Sequence, residues 1–148
     1  MGSGNAGAES SGRLGRPDGV GGRRGLVVWK VLAALLLLAM GGIHLYLALS
    51  GVGGVLGVLF VLNADGGVVL AVAMIAAPPR LLLLAGVLSV LLMAGTMLAL
   101  VLALTVGLFG ITETFSARLV PTTLVVESIG LVVLAVTIDM AAQARRTR

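Results

Sequence analysis

The fold is decided by the stretch VVWKVLAALLLLAMGGIHLYLAL, residues 27–49. At about 1.5 Å per residue, a helix of this length is longer than the roughly 30 Å hydrocarbon core of a bilayer. Trp29 and Lys30 stand near its start, where an aromatic ring and an amine suit the membrane interface. The stretch therefore predicts a transmembrane helix that carries an ionisable side chain, His44, toward its far end.

The composition of the whole chain agrees with a membrane class. Of the 148 residues, 59% are hydrophobic and 11% are charged, and the mean hydropathy is +1.17. A soluble domain of this size could not bury so much apolar surface. The sequence therefore predicts an all-α polytopic membrane protein, and it argues against a soluble enzyme.

Three further apolar blocks complete a bundle of four transmembrane helices, predicted at 27–49, 55–77, 81–109 and 121–140. Pro78 and Pro79 end the second block because proline cannot continue the helical hydrogen bonds, and Pro121 suits the first turn of the fourth helix. We expect a disordered tail at 1–25, a transmembrane domain at 26–141 and a basic tail at 142–148. An alternative breaks the second helix at Asp65-Gly66-Gly67 into two half-helices.

The distribution of charge predicts orientation. Arginines stand in the N-terminal tail, at Arg80 and in the C-terminal tail, whereas the connections at 50–54 and 110–120 carry no net charge. Cytoplasmic loops hold most Lys and Arg residues. We therefore expect a multi-pass protein of the cell membrane with both termini in the cytoplasm.

Small residues predict the packing faces. Gly95, Ala99, Ala103 and Gly107 are each four residues apart and form a stripe on the third helix, where small side chains let two helix backbones approach closely. The stripe is interpreted as packing within the bundle, and the alternative is a dimer face. On the second helix a similar stripe comprises Gly53, Gly57, Ala64, Gly67 and Ala71.

The intramembrane polar residues are the candidate site. His44 and Glu127 lie at similar depths, roughly 8 and 9 Å from the outer helix ends, and Asn63 lies somewhat deeper. Such groups usually face the bundle and have partners, so we predict that His44 and Glu127 lie within direct or water-bridged hydrogen-bond reach. The pair either fixes helix register or handles protons or a ligand.

Asp65 is the fourth member of this candidate cluster, and a regular helix directs it about 160° away from Gly67. Unless the second helix bends, Asp65 is poorly placed to join the other three. One histidine and two carboxylates are a poor ligand set for a metal, and the chain has no cysteine. We expect no metal, no cofactor and no catalytic residue.

Three segments also carry a resemblance, namely 43–47 (IHLYL), 57–64 (GVLFVLNA) and 104–110 (LTVGLFG), followed by Glu113 and Glu127. Over residues 27–140 the chain resembles uncharacterised small four-helix integral membrane proteins of actinobacteria. The resemblance implies four membrane spans and no particular activity.

Two functions compete on this basis. The first is a non-enzymatic interaction or accessory membrane subunit, whose partners are the lipid bilayer and either further copies of the chain or other membrane proteins, not nucleic acid. The alternative is a small proton-coupled carrier that uses His44 and Glu127. A carrier would be expected to show internal repeats or broken helices at the midplane.

Overall fold

The structure, a computed structural model, describes residues 18–107 and 119–146, with the side chains of 18–21 and 23 excepted. Four helices make up this part of the chain: α1 (Asp18–Leu49), α2 (Gly54–Ala76), α3 (Pro79–Thr105) and α4 (Val120–Arg146). Each contains a segment long and apolar enough to cross a membrane. The predicted all-α fold of four membrane-span-like helices is confirmed.

The helices form a closed ring in which each packs on its sequence neighbours and α1 also packs on α4. The adjacency of the first and fourth helices, which the predicted contact between His44 and Glu127 requires, is therefore confirmed. We call the end at which residues 50–53 connect α1 to α2 the turn end. The opposite end, where Pro78 and Pro79 connect α2 to α3, is the proline end.

The contact between α1 and α2 depends on small residues. A Cβ atom added to Gly41 would lie 3.2 Å from the carbonyl oxygen of Ala64, and one added to Gly67 would lie 2.9 Å from the carbonyl oxygen of Leu37. The two backbones can approach this closely only because these positions lack larger side chains. Ala64, Gly67 and Ala71 are buried, as the small stripe on α2 predicted, whereas Gly53 precedes the helix and is exposed and Gly57 is half-buried.

The predicted packing of the α3 stripe within the bundle is wrong. Gly95 is exposed with open space beside it, Ala99 and Ala103 are half-buried, and Gly107 lies beyond the helix with φ +82°. The buried side of α3 lies nearer the proline end and comprises Leu82, Ala85, Gly86, Ser89 and Met93. It is this side that meets α4, because a Cβ atom on Gly86 would overlap Ile138 and Met93 packs against the backbone of Gly130.

The end of α3 explains why Gly107 does not belong to a packing stripe. α3 stops after Thr105, and the amide N–H group of Gly107 donates to the carbonyl oxygen of Leu102 at 2.9 Å. A positive φ at that position favours glycine, so Gly107 ends the helix instead of packing it. Predicted helical residues 108 and 109 lie outside the described part of the chain.

The prolines act as predicted. Ala77 is extended with ψ 137°, as expected before proline, and α2 ends at Ala76. Pro79 occupies the first turn of α3, where a missing N–H group costs nothing. α2 itself continues through Asp65-Gly66-Gly67 without a break, so the alternative of two half-helices is wrong.

Two predicted tail boundaries also need correction. α1 begins at Asp18, so residues 18–25 are helical, because extending an existing helix avoids the cost of nucleation. α4 continues to Arg146, so residues 142–146 are helical too. Arg145 and Arg146 stand in its last turn, where cations interact favourably with the helix dipole. Residues 1–17, predicted to be disordered, lie outside the described residues.

Candidate functional site

A cavity of about 430 Å³ lies between the four helices at the turn end. It is lined mainly by apolar side chains, with a few polar groups among them. α2 contributes Leu56, Leu59, Phe60 and Asn63; α3 contributes Thr96, Ala99, Leu100 and Ala103. The spacing of three or four residues on each helix places these side chains on one face.

The cavity exists because packing between α2 and α3 stops partway along the bundle. Asn63 is the first buried residue of α2, and Met93 is the last buried residue of α3. Beyond these two residues, toward the turn end, the facing side of α3 presents the small side chains Ala99 and Ala103. They leave space where larger side chains would have filled the interior.

Glu127 is the most completely buried charged residue in the described part of the chain, with 0% of its surface exposed. Neither carboxylate oxygen has a hydrogen-bond partner among the described residues. The neighbouring hydroxyl groups are engaged elsewhere: Thr123 donates to the carbonyl oxygen of Leu119 at 2.8 Å and Thr96 to that of Met93 at 2.9 Å. The Thr96 hydroxyl group lies beside the Glu127 carboxyl group, but it donates to the Met93 carbonyl oxygen, so neither carboxylate oxygen has a well-formed hydrogen bond.

Asn63, on the opposite side of the helix ring, is also buried with unpaired polar atoms. Its side chain is 6% exposed, and neither its amide oxygen nor its amide nitrogen has a partner in the described residues. An unpaired buried polar group of this kind costs about 1–3 kcal/mol of folding free energy. Asn63 therefore destabilises the bundle unless a partner satisfies it.

His44 is held in a defined orientation. Its Nδ1 atom lies 2.9 Å from the carbonyl oxygen of Met40. Because a carbonyl oxygen only accepts, Nδ1 is the donor, and Nε2 carries the lone pair of the neutral ring. The Phe60 ring contacts the imidazole edge to face, with centroids 5.5 Å apart and planes at 70°. The Nε2 atom is therefore a third acceptor on a cavity-lining side chain, after the Glu127 carboxyl group and the Asn63 amide oxygen.

The structure brings together three of the four predicted site residues. His44, Asn63 and Glu127 all line the cavity, whereas Asp65 is exposed on the outer side of α2. No hydrogen bond joins His44 to Glu127 in the described structure, so the direct form of the predicted pairing is not observed. Their equal depth instead places them at one level of a shared cavity.

Sequence reasoning missed the other polar and aromatic cavity residues. Phe60 precedes Asn63 by three residues, so it shares that residue's helix face and could have been identified from spacing. Thr96 had no comparable signal, because its importance depends on where α3 separates from α2. Among the described residues, no group of three or more His, Cys, Asp or Glu side chains could hold a metal ion.

The cavity does not extend through the bundle. Toward the proline end, the interior is filled by the fully buried side chains Leu37, Met40, Met74, Met93 and Leu134. The arrangement is an apolar pocket with hydrogen-bond acceptors on its walls, and a packed core closes it toward the proline end. It suits the binding of a donor-bearing amphipathic molecule, since pockets of this size with a few placed polar groups hold small ligands.

Comparison with known proteins identifies no family for this chain. The chain matches no protein-family model, no curated protein and no solved structure. The resemblance to actinobacterial four-helix membrane proteins stays a prediction, and arguments about function depend on the geometry of the site.

Proposed function

We propose that this chain is a non-enzymatic, multi-pass protein of the cell membrane that binds a small amphipathic amine in the cavity at the turn end. The observation that carries the proposal is Glu127, a buried carboxyl group with both oxygens unpaired on the wall of an apolar pocket. A cation bound there would supply both the opposite charge and the missing donors.

The polar groups suit a primary amine in particular. A primary ammonium group has three N–H donors, and the cavity walls carry three kinds of acceptor: the Glu127 carboxylate, the Asn63 amide oxygen and the His44 Nε2 atom. The apolar walls would take a hydrocarbon portion.

The proposed orientation follows the basic residues. Lys30, Arg80, Arg145 and Arg146 all belong to the proline end of the ring. Since basic residues favour the cytoplasmic side, both termini would be cytoplasmic and the cavity would lie toward the outer leaflet. A ligand would then enter from outside the cell or from the outer leaflet.

The test compares alkyl ligands of matched length in mild detergent. We expect octylamine to raise the melting temperature of the purified chain more than octanol does, because only the amine can pair with Glu127. Glu127→Gln should remove this preference for the amine while keeping a side chain of nearly the same shape. Circular dichroism at helical wavelengths measures the melting.

The matched control is Asp65→Asn. Asp65 is also an acid within a predicted span, but it is exposed outside the bundle, so its replacement should leave the preference for octylamine unchanged. Equal stabilisation by the amine and the alcohol in the unsubstituted chain would refute the proposal. Loss of the preference in Asp65→Asn would show that the amine acts at the bundle surface.

A proton-coupled carrier is the second candidate, and the shared level of His44 and Glu127 on one cavity favours it. Transport also requires access from both sides, and a continuous α2 with a packed apolar core below the cavity argues against that. Proton uptake into vesicles on addition of an octylamine gradient, lost in Glu127→Gln, would favour the carrier over a binding protein.

A further inference from the structure

Asp65 occupies an unusual place on the outer surface of α2. It stands at the midpoint of Gly54–Ala76, so about 16 Å of helix separates it from either end. Its side chain is exposed, and in the described structure it takes part in no hydrogen bond or ion pair. In a membrane-spanning bundle this carboxyl group faces lipid at the middle of the bilayer.

The surroundings of Asp65 offer no polar compensation. The same face of α2 presents Val61, Leu62, Val68, Val69 and Val72, all exposed and all apolar. The side chain is also too short to reach the interface as a lysine or arginine would. Acids within transmembrane segments almost always face a partner or a water-filled space, so this position calls for a partner outside the described chain.

We propose that this outer face of α2 is a docking surface for a transmembrane helix of another membrane protein that carries a Lys or Arg at mid-span. Charge complementarity identifies the occupant, because a cation both neutralises the carboxylate and donates hydrogen bonds to it. Such docking would make the chain an interaction or accessory subunit, independently of ligand binding in the cavity.

A second copy of this chain is a poorer occupant. The described basic residues of the spans lie near their ends at the proline end of the bundle, as Lys30 and Arg80 do, and His44 is buried inside the ring. The described residues of a second copy would therefore bring no cation to the level of Asp65. The flanking valines also favour docking of a helix, since a β-branched side chain has little rotamer freedom to lose when it is covered.

The experiment uses the full chain, with a donor dye on a cysteine introduced at Thr147, reconstituted in phosphatidylcholine vesicles. The chain has no native cysteine, so labelling is specific. Two acceptor-labelled synthetic helices of Leu and Ala are the probes, one with a single central Lys and one with Leu in its place. We expect about tenfold stronger association with the Lys helix, measured by energy transfer.

Asp65→Leu should reduce association with the Lys helix to the level of the Leu helix. This variant should fold, because it replaces an exposed carboxyl group by a side chain that suits lipid. Val132→Leu changes an exposed side chain on α4 and should leave the association unchanged. Equal energy transfer to both probes would overturn the proposal, as would self-association of the labelled chain that Asp65→Leu abolishes.

Discussion

Gly67→Ala should weaken the bundle, because Gly67 lies against the backbone of α1. The added Cβ atom would lie 2.9 Å from the carbonyl oxygen of Leu37 and 3.3 Å from the Cα atom of Gly41. Both are backbone atoms, so no side-chain rotation can relieve the overlap. The two helices would have to separate by a few tenths of an ångström along their most extensive contact.

The magnitude follows from a matched comparison with Gly95→Ala. Both substitutions place alanine in a helix interior and gain about the same helix propensity, up to roughly 1 kcal/mol. A Cβ atom on Gly95 meets nothing within 4 Å, so Gly95→Ala should gain helix propensity without any cost of overpacking. Overpacking costs about 1–3 kcal/mol, and the difference in unfolding free energy between the two variants should fall in that range.

The assay is a titration with sodium dodecyl sulfate from a mild detergent, followed by the fluorescence of Trp29. This residue is the single tryptophan of the chain and packs partly buried against the core. Gly67→Ala should unfold at a lower mole fraction of dodecyl sulfate than the unsubstituted chain, and Gly95→Ala at the same or a higher fraction. Equal midpoints for the two variants, or a lower midpoint for Gly95→Ala, would refute the assigned α1–α2 contact.

Two further predictions concern orientation and the cavity. A cysteine at Gly51 should react with a membrane-impermeant maleimide in intact cells, whereas one at Thr147 should not; the reverse pattern would contradict cytoplasmic termini. Ala103→Leu should leave the free energy of unfolding within about 0.5 kcal/mol of that of the unsubstituted chain but weaken octylamine binding, because the new side chain enters the cavity instead of separating two helices. A large loss of stability in Ala103→Leu would show instead that Ala103 packs against a neighbouring helix.

Properties that depend on consecutive residues could be predicted from the sequence. The four apolar blocks, the end of α2 at Pro78 and the start of α3 with Pro79 all follow from local chain length, polarity and the missing proline N–H group. The similar depths of His44 and Glu127 were also predictable, since depth along a helix is a count of residues.

The faces through which the helices pack together were harder to predict from the sequence. Small residues four apart occur on both α2 and α3, yet only the α2 stripe is packed against a neighbouring backbone. On α3, the buried side is set by Ile138 against Gly86 and by Met93 against Gly130, contacts with a helix more than 30 residues away in sequence. Gly107 fits both a packing period and a glycine just past a helix end, and spacing alone does not distinguish the two.

The two unpaired acids of the spans show how helix phase assigns different roles to similar residues. Glu127 faces inward and Asp65 faces outward, and the direction of Asp65 follows from its position about 160° from the buried Gly67 on a continuous α2. The effects of their replacement should therefore separate. Glu127→Gln should alter amine binding and Asp65→Leu should alter association with a lysine-bearing helix. If either substitution changed both properties, the rotation assigned to α2 or to α4 would be wrong, since α2 directs Asp65 outward and α4 directs Glu127 inward.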